Sequence, residues 1–179
     1  VTLSASETPN KSGQIPISGF SWDTDSDGLN DVNGVRTEQS WPEPGNYSVR
    51  LSVTSTDSRS ASTTRTIAVS DISPPTVSMS PSGQITKGFG EELSVSATFT
   101  DNWGVESIDW LFDGSIVFSN YTITEPISTL SIQISDDYSA GEHVASIIVT
   151  DKSGISTRQD LTVIFIDVSA PVISPYDGQ

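Results

Sequence analysis

The chain has 179 residues, a net charge of −15 at pH 7 from 23 acidic and 8 basic side chains, and no cysteine. That charge argues against nucleic acid and anionic membranes as partners, since little here neutralises phosphates, and makes divalent cations the natural counter-charge. Without cysteine there is no disulfide frame, no thiolate metal site and no thiol nucleophile.

In chain order the apolar residues alternate with period two, the spacing of half-buried strands. VTLSAS (Val1 to Ser6) and ISGFSW (Ile17 to Trp22) come first. NYSVRLSVTS follows, with Tyr47, Val49, Leu51 and Val53 on one face, and then TTRTIAVS. The later runs are TVSMSP, EELSVSATFT with Leu93, Val95, Ala97 and Phe99 on one face, VESIDWLF, STLSIQIS, EHVASIIVT and DLTVIFID. Gly, Pro, Asp and Asn punctuate them. No run carries a helical apolar stripe, and none approaches the roughly 20 apolar residues of a membrane span. The expectation is an all-β chain of short strands folded as sandwiches.

An internal repeat divides the chain. PGNYSVRLSV (Pro44 to Val53) matches AGEHVASIIV (Ala140 to Val149), and SDISPPTVS (Ser70 to Ser78) matches IDVSAPVIS (Ile166 to Ser174), both at an offset of 96 residues. Trp22 and Trp110 are only 88 apart, so the difference falls in loops. DISPP marks the boundary, a connection stiffened by proline. These matches predict a first domain over 1–72, a second over 73–168 and a strand-like tail over 169–179. The second domain opens with TVSMSP, a first strand. VTLSAS instead aligns with LSVSAT, so the first domain lacks such a strand, while PVISPYDGQ (Pro171 to Gln179) is a first strand with no domain after it. Three readings stay open: a window of a longer tandem array, a first domain with a shorter strand set, or a tail that completes the first domain of another copy. In the last, Val172, Ile173 and Tyr176 are the assembly contacts, and head-to-tail repetition makes a filament.

The first domain resembles a PKD domain, through SGFSWDTDSDG (Ser18 to Gly28) and SWPEPGNYSVRLSV (Ser40 to Val53). Trp22-Asp23, Gly45, Tyr47, Val49, Leu51 and Val53 match the family pattern. Trp41, Gln39 and the Asp-rich insertion depart from it. The second is similar to bacterial and archaeal Ig-like domains, through DNWGVESIDWLFDG (Asp101 to Gly114) and VTDKSG (Val149 to Gly154). The resemblance implies two tandem immunoglobulin-like (PKD-like) β-sandwiches, an extracellular or cell-surface location, roles in binding or spacing, and no catalytic residues.

In WDTDSDGLNDVNG (Trp22 to Gly34), Asp23, Asp25 and Asp27 have the alternate spacing of a calcium loop, with Gly28 at the sharp turn. Leu29 would offer its carbonyl and Asp31 a further carboxylate. The loop also resembles the calcium repeats of thrombospondin type 3. Gly34 stands where a bidentate Glu usually closes such a loop, which leaves Glu38 or Asp57 to replace it. The expectation is a weak Ca²⁺ site, with Kd on the order of 10⁻⁴ to 10⁻³ M. The rival reading is a solvated acidic turn. A further cation at the connection, through Asp71 and Asp167, is the less favoured alternative to simple turn capping.

Trp22, Trp110 and Trp41 read as core residues, and His143, aligned with Tyr47, as a packed one. With one His and no Cys, a nucleophilic dyad has little to draw on. The expected function is therefore non-enzymatic: spacing or self-assembly, with neighbouring repeats or copies of the chain as partners. The alternative is an accessory carbohydrate-binding or adhesion module with a polysaccharide or another surface protein as partner. There Trp103, in the turn DNWG, would stack on a sugar beside Tyr121 or Tyr138. The sequons at Asn10, Asn46 and Asn120 are too few above chance to decide anything.

Overall fold

The computed structural model describes residues 1–6, 15–169 and 171. Val172, Ile173 and Tyr176 lie outside the described residues, as does Asn10. The chain falls into two compact units, Val1–Asp71 and Ile72–Gln179.

Among the described residues, the second unit has two sheets. One holds β7 (Thr76–Ser80), β9 (Glu92–Thr100) and β12 (Ile127–Gln133), in the order β12-β9-β7. The other holds β8 (Gln84–Gly88), β10 (Val105–Phe112), β11 (Ser115–Asn120), β13 (Gly141–Asp151) and β14 (Ser156–Ile166), in the order β11-β10-β13-β14-β8. All neighbours are antiparallel except β8, which runs parallel to β14. Alternation explains the core. Leu93, Val95, Ala97 and Phe99 of β9 point inward, as do His143, Ala145, Ile147 and Val149 of β13 and Leu161, Val163 and Phe165 of β14. Trp110 is fully buried among them, and its indole N–H donates to the Ser128 hydroxyl at 3.0 Å.

In the first unit, β2 (Ile17–Asp23), β3 (Val32–Asn33), β5 (Gly45–Ser55) and β6 (Ser60–Val69) form one sheet, ordered β3-β2-β5-β6. The facing sheet, among the described residues, is β1 (Thr2–Ser4) against β4 (Arg36–Glu38). The repeat is visible in the register. Trp22 lies opposite Leu51 on β5, and Trp110 lies opposite Ile147 on β13, the residue 96 positions further on. Trp22 is buried, and its N–H donates to the Gly34 carbonyl at 2.9 Å. Trp41 stacks on Tyr47 with ring centroids 5.0 Å apart. Among the described residues, no strand of the first unit takes the place of β7 against β1 or of β8 against β6.

His143 is buried in an aromatic cluster, tilted against Phe165 with centroids 4.3 Å apart and stacked on Phe112. Both ring nitrogens meet acceptors: Nδ1 the Asp113 carboxylate at 2.7 Å and Nε2 the Ser139 carbonyl at 2.8 Å. Burial opposes protonation, but these acceptors and the Asp113 charge outweigh it and raise the His143 pKa above its ordinary 6.5. Protonation therefore favours the folded state. Its contribution is complete below pH 6.5 and fades as pH rises through the raised value. Denaturant midpoints measured from about pH 5 to about pH 9 are expected to fall for the second unit over that window. His143→Phe flattens the slope and lowers stability at the acid end by roughly 1–2 kcal/mol. A slope unchanged in that variant would refute the assignment.

Candidate functional site

The acidic loop leaves β2 at Asp23 and returns at Val32. Its base is closed by the Asp31 N–H donating to the Trp22 carbonyl at 2.7 Å. Asp23 is buried at the end of the strand while Asp25 and Asp27 are exposed, and oxygens of the three carboxylates lie within 4.8 Å of one another. The loop's own backbone offsets part of that charge. Asp23 accepts from the N–H groups of Ser26 (2.8 Å) and Gly28 (3.2 Å), Asp25 from that of Asp27 (3.1 Å), and Asp27 from that of Leu29 (2.7 Å). Gly28 sits at φ +91°, where a side chain would be strained.

Arg50 supplies the cation that charge patterning alone did not suggest. It lies on β5 opposite Asp23; its guanidinium is 3.2 Å from the Asp23 carboxylate and donates to the Gly28 carbonyl at 2.7 Å. Three of the expected ligands stand apart from the Asp23–Asp25–Asp27 group. Asp31 accepts from the Thr24 N–H (2.6 Å) and hydroxyl (2.9 Å), which hold its carboxyl below the ordinary value. Glu38 lies on β4 opposite Thr2. Asp57 is engaged by the Ser55 hydroxyl and by Arg59 at 2.6 Å in the β5–β6 turn. Leu29 is 70% exposed at the loop tip. The three gathered carboxylates suit a hard cation such as Ca²⁺, with Arg50 beside Asp23 competing for part of their charge.

The second feature of the first unit is a groove of 510 Å³ between β1 and β6, floored by Leu3, Ala5, Trp22, Val49 and Leu51 and walled by Ile67 and Arg65. In the second unit, β14 buries Leu161, Val163 and Phe165, with β8 paired along its edge and β7 in the other sheet. The corresponding β6 residues, Arg65, Ile67 and Val69, are exposed or half-buried.

Of the aromatic residues proposed for ligand stacking, Trp103 is half-buried and its backbone N–H donates to the Asp101 carboxylate at 2.8 Å. Tyr138 is half-buried and packs against the core cluster, edge-on to Phe112 at 5.5 Å. Tyr121 is 71% exposed. The sequence reading overlooked the edge strand β11, where Ile116, Val117 and Phe118 are all largely exposed. It also overlooked Asp101 and Asp151, whose positions continue the inward alternation of β9 and β13 beyond Phe99 and Val149. That continuation was the available signal.

These units are immunoglobulin-like β-sandwiches, and the protein is all-β among its described residues. No protein-family model matches the chain, and no curated protein matches it. Among solved structures it is similar to the fibronectin(III)-like modules of Clostridium thermocellum CbhA, with 16% identity over 92% of this chain and 87% of that one and a TM-score of 0.47. It is similar to a three-Ig structure of titin domains, at 12% identity over 86% of this chain and 56% of that one, TM-score 0.46. Tandem Ig repeats of Dlar match at 14% identity over 85% and 84%, TM-score 0.39. These likenesses concern the fold and nothing beyond it.

Proposed function

We propose that this chain is a non-catalytic structural module of an extracellular or cell-surface protein, acting in spacing and self-assembly, with its first sandwich accepting a β-strand from a second copy. The observation that carries this reading is the groove between β1 and β6, open among the described residues where β7 and β8 close the second unit. An open sheet edge above an apolar floor is the acceptor half of strand addition. The proposed donor is segment 171–179 of another copy. It repeats the β7 segment at an offset of 96, so that Ile173 stands for Val77, which packs on the second unit's core, and Ser174 for Ser78. Repeated head to tail, such a contact is heterologous and builds a filament.

Ca²⁺ on the Asp23–Asp25–Asp27 loop belongs to the same reading, as a stiffener of the first unit. Sugar binding needs a row of exposed aromatic faces, and half-buried Trp103 with core-packed Tyr138 supports it less well. The test is light scattering on the full chain across a concentration series, in calcium and in chelator. Growth into long particles that is lost on deleting residues 171–179, and lost again in Ala5→Arg with the tail intact, is the expected result. A monomer at every concentration would overturn the assembly reading, and so would growth that survives the deletion.

A further inference from the structure

We propose that the second unit carries its own divalent-cation site, of calcium's hard-oxygen class, where Asp101 and Asp151 meet at one end of the sandwich. It is independent of the Asp23 loop and of the assembly reading.

Two carboxylates close together are common without an ion; the details here separate this pair from that background. Asp151 is fully buried. Its Oδ1 accepts from the N–H groups of Ser153 and Ile155 and from the Ser153 hydroxyl, each at 2.8 Å. Its Oδ2 is also buried and has no hydrogen-bond partner. Asp101 repeats the pattern: Oδ1 accepts from the N–H groups of Trp103 and Gly104, each at 2.8 Å, and buried Oδ2 has no partner. Carboxylate oxygens of the two lie within 4.8 Å of each other.

Each carboxylate thus spends one oxygen on orienting a turn and leaves the other dry. A buried acceptor without a donor costs about 1–3 kcal/mol, and more when charged. Two such acceptors side by side also repel. A cation between them removes both costs, and oxygen-only ligands select Ca²⁺ or a similar hard ion over zinc. Protein cations do not fill the role: among the described residues neither carboxylate forms an ion pair, and the Lys152 side chain lies along Gly104 instead.

The geometry around the pair supports a built site. Asp101 and Asp151 extend the inward faces of β9 and β13, whose last inward apolar residues are Phe99 and Val149. The turns they orient are tied to each other by the Lys152 N–H donating to the Gly104 carbonyl at 3.1 Å. The unit's first segment enters beside them, with Thr76 opposite Thr100 and the Pro75 carbonyl accepting from the Thr157 hydroxyl at 2.6 Å. Turn carbonyls and water complete the six to eight oxygens that Ca²⁺ takes.

The experiment removes the loop first. In the full chain carrying Asp23→Asn, Asp25→Asn and Asp27→Asn, calcium chloride is titrated by calorimetry and thermal unfolding of the second unit is followed. One ion is expected to bind with Kd on the order of 10⁻⁴ M, and unfolding to rise by roughly 10 °C in about 10 mM calcium. Terbium is expected to bind in the same place and to emit on tryptophan excitation, an emission that Trp103→Phe reduces. Adding Asp101→Asn, which keeps the Oδ1 acceptor and hence the turn, abolishes the heat, the shift and the emission. Asp151→Asn does the same, and in chelator it leaves the unit as stable as before or more so, because the repulsion is gone. No binding by the loop-deficient chain, or undiminished binding after Asp101→Asn, would overturn the proposal. Failure of the Asp23 loop to bind calcium would leave it standing.

Discussion

Trp110→Ala is expected to destabilise the second unit by about 3–5 kcal/mol, the cost of emptying a large site in a close-packed core. Trp110 is 0% exposed and stands between two sheets whose inward residues are themselves buried, so the cavity has little freedom to collapse. The orphaned Ser128 hydroxyl adds a smaller term. The equivalent Trp22→Ala is expected to cost less, because Trp22 lines the groove and its core cluster is the smaller one. Denaturant unfolding followed by near-UV circular dichroism separates the two. Equal losses would mean that the groove is filled in solution, and a Trp110→Ala loss below about 1 kcal/mol would contradict the core assignment.

Asp23→Ala is expected to carry the second large effect, about 2–4 kcal/mol from the first unit. Its buried carboxylate receives two loop N–H groups and faces Arg50, whose Nε is itself buried without a hydrogen-bond partner. Truncation leaves those donors unmatched and a guanidinium with no counter-charge beside it. Partial exposure of Arg50 lets it rehydrate, which keeps the loss below that of a fully buried pair. Asp25→Asn is the contrasting change: its side chain is exposed, and in chelator it is expected to shift stability by no more than about 0.5 kcal/mol. In calcium both variants forfeit the stabilisation the ion gives the parent chain if the loop holds it, since either removes a ligand, and the gap between the two persists. If calcium stabilises Asp25→Asn as much as the parent chain, the loop is a self-satisfied acidic turn.

Much of the fold was legible because strand burial is a local property of the chain. Period-two alternation placed Leu93, Val95, Ala97 and Phe99 inward, and the repeat offset aligned Leu51 with Ile147 before either was seen opposite its tryptophan. The acidic loop was legible for the same reason, its carboxylates being close in sequence. Its counter-ion was not. Arg50 follows Asp23 by 27 residues, and only the β2–β5 register brings them together. For Asp31 and Glu38 the sequence spacing suggested a ligand set, and only the structure adds that Asp31 accepts from Thr24 and that Glu38 lies on β4 opposite Thr2.

From sequence alone came the all-β character, the duplication, the core tryptophans and the Asp23–Asp25–Asp27 cluster, because each depends on residues a few positions apart or on a fixed repeat. The tertiary structure decided the rest: which sheet edge is open beside Leu3 and Ile67 among the described residues, that Tyr138 packs half-buried against the core, and that Asp101 and Asp151 share one dry corner. Those depend on strands distant in the chain packing face to face, and no local period encodes such a meeting.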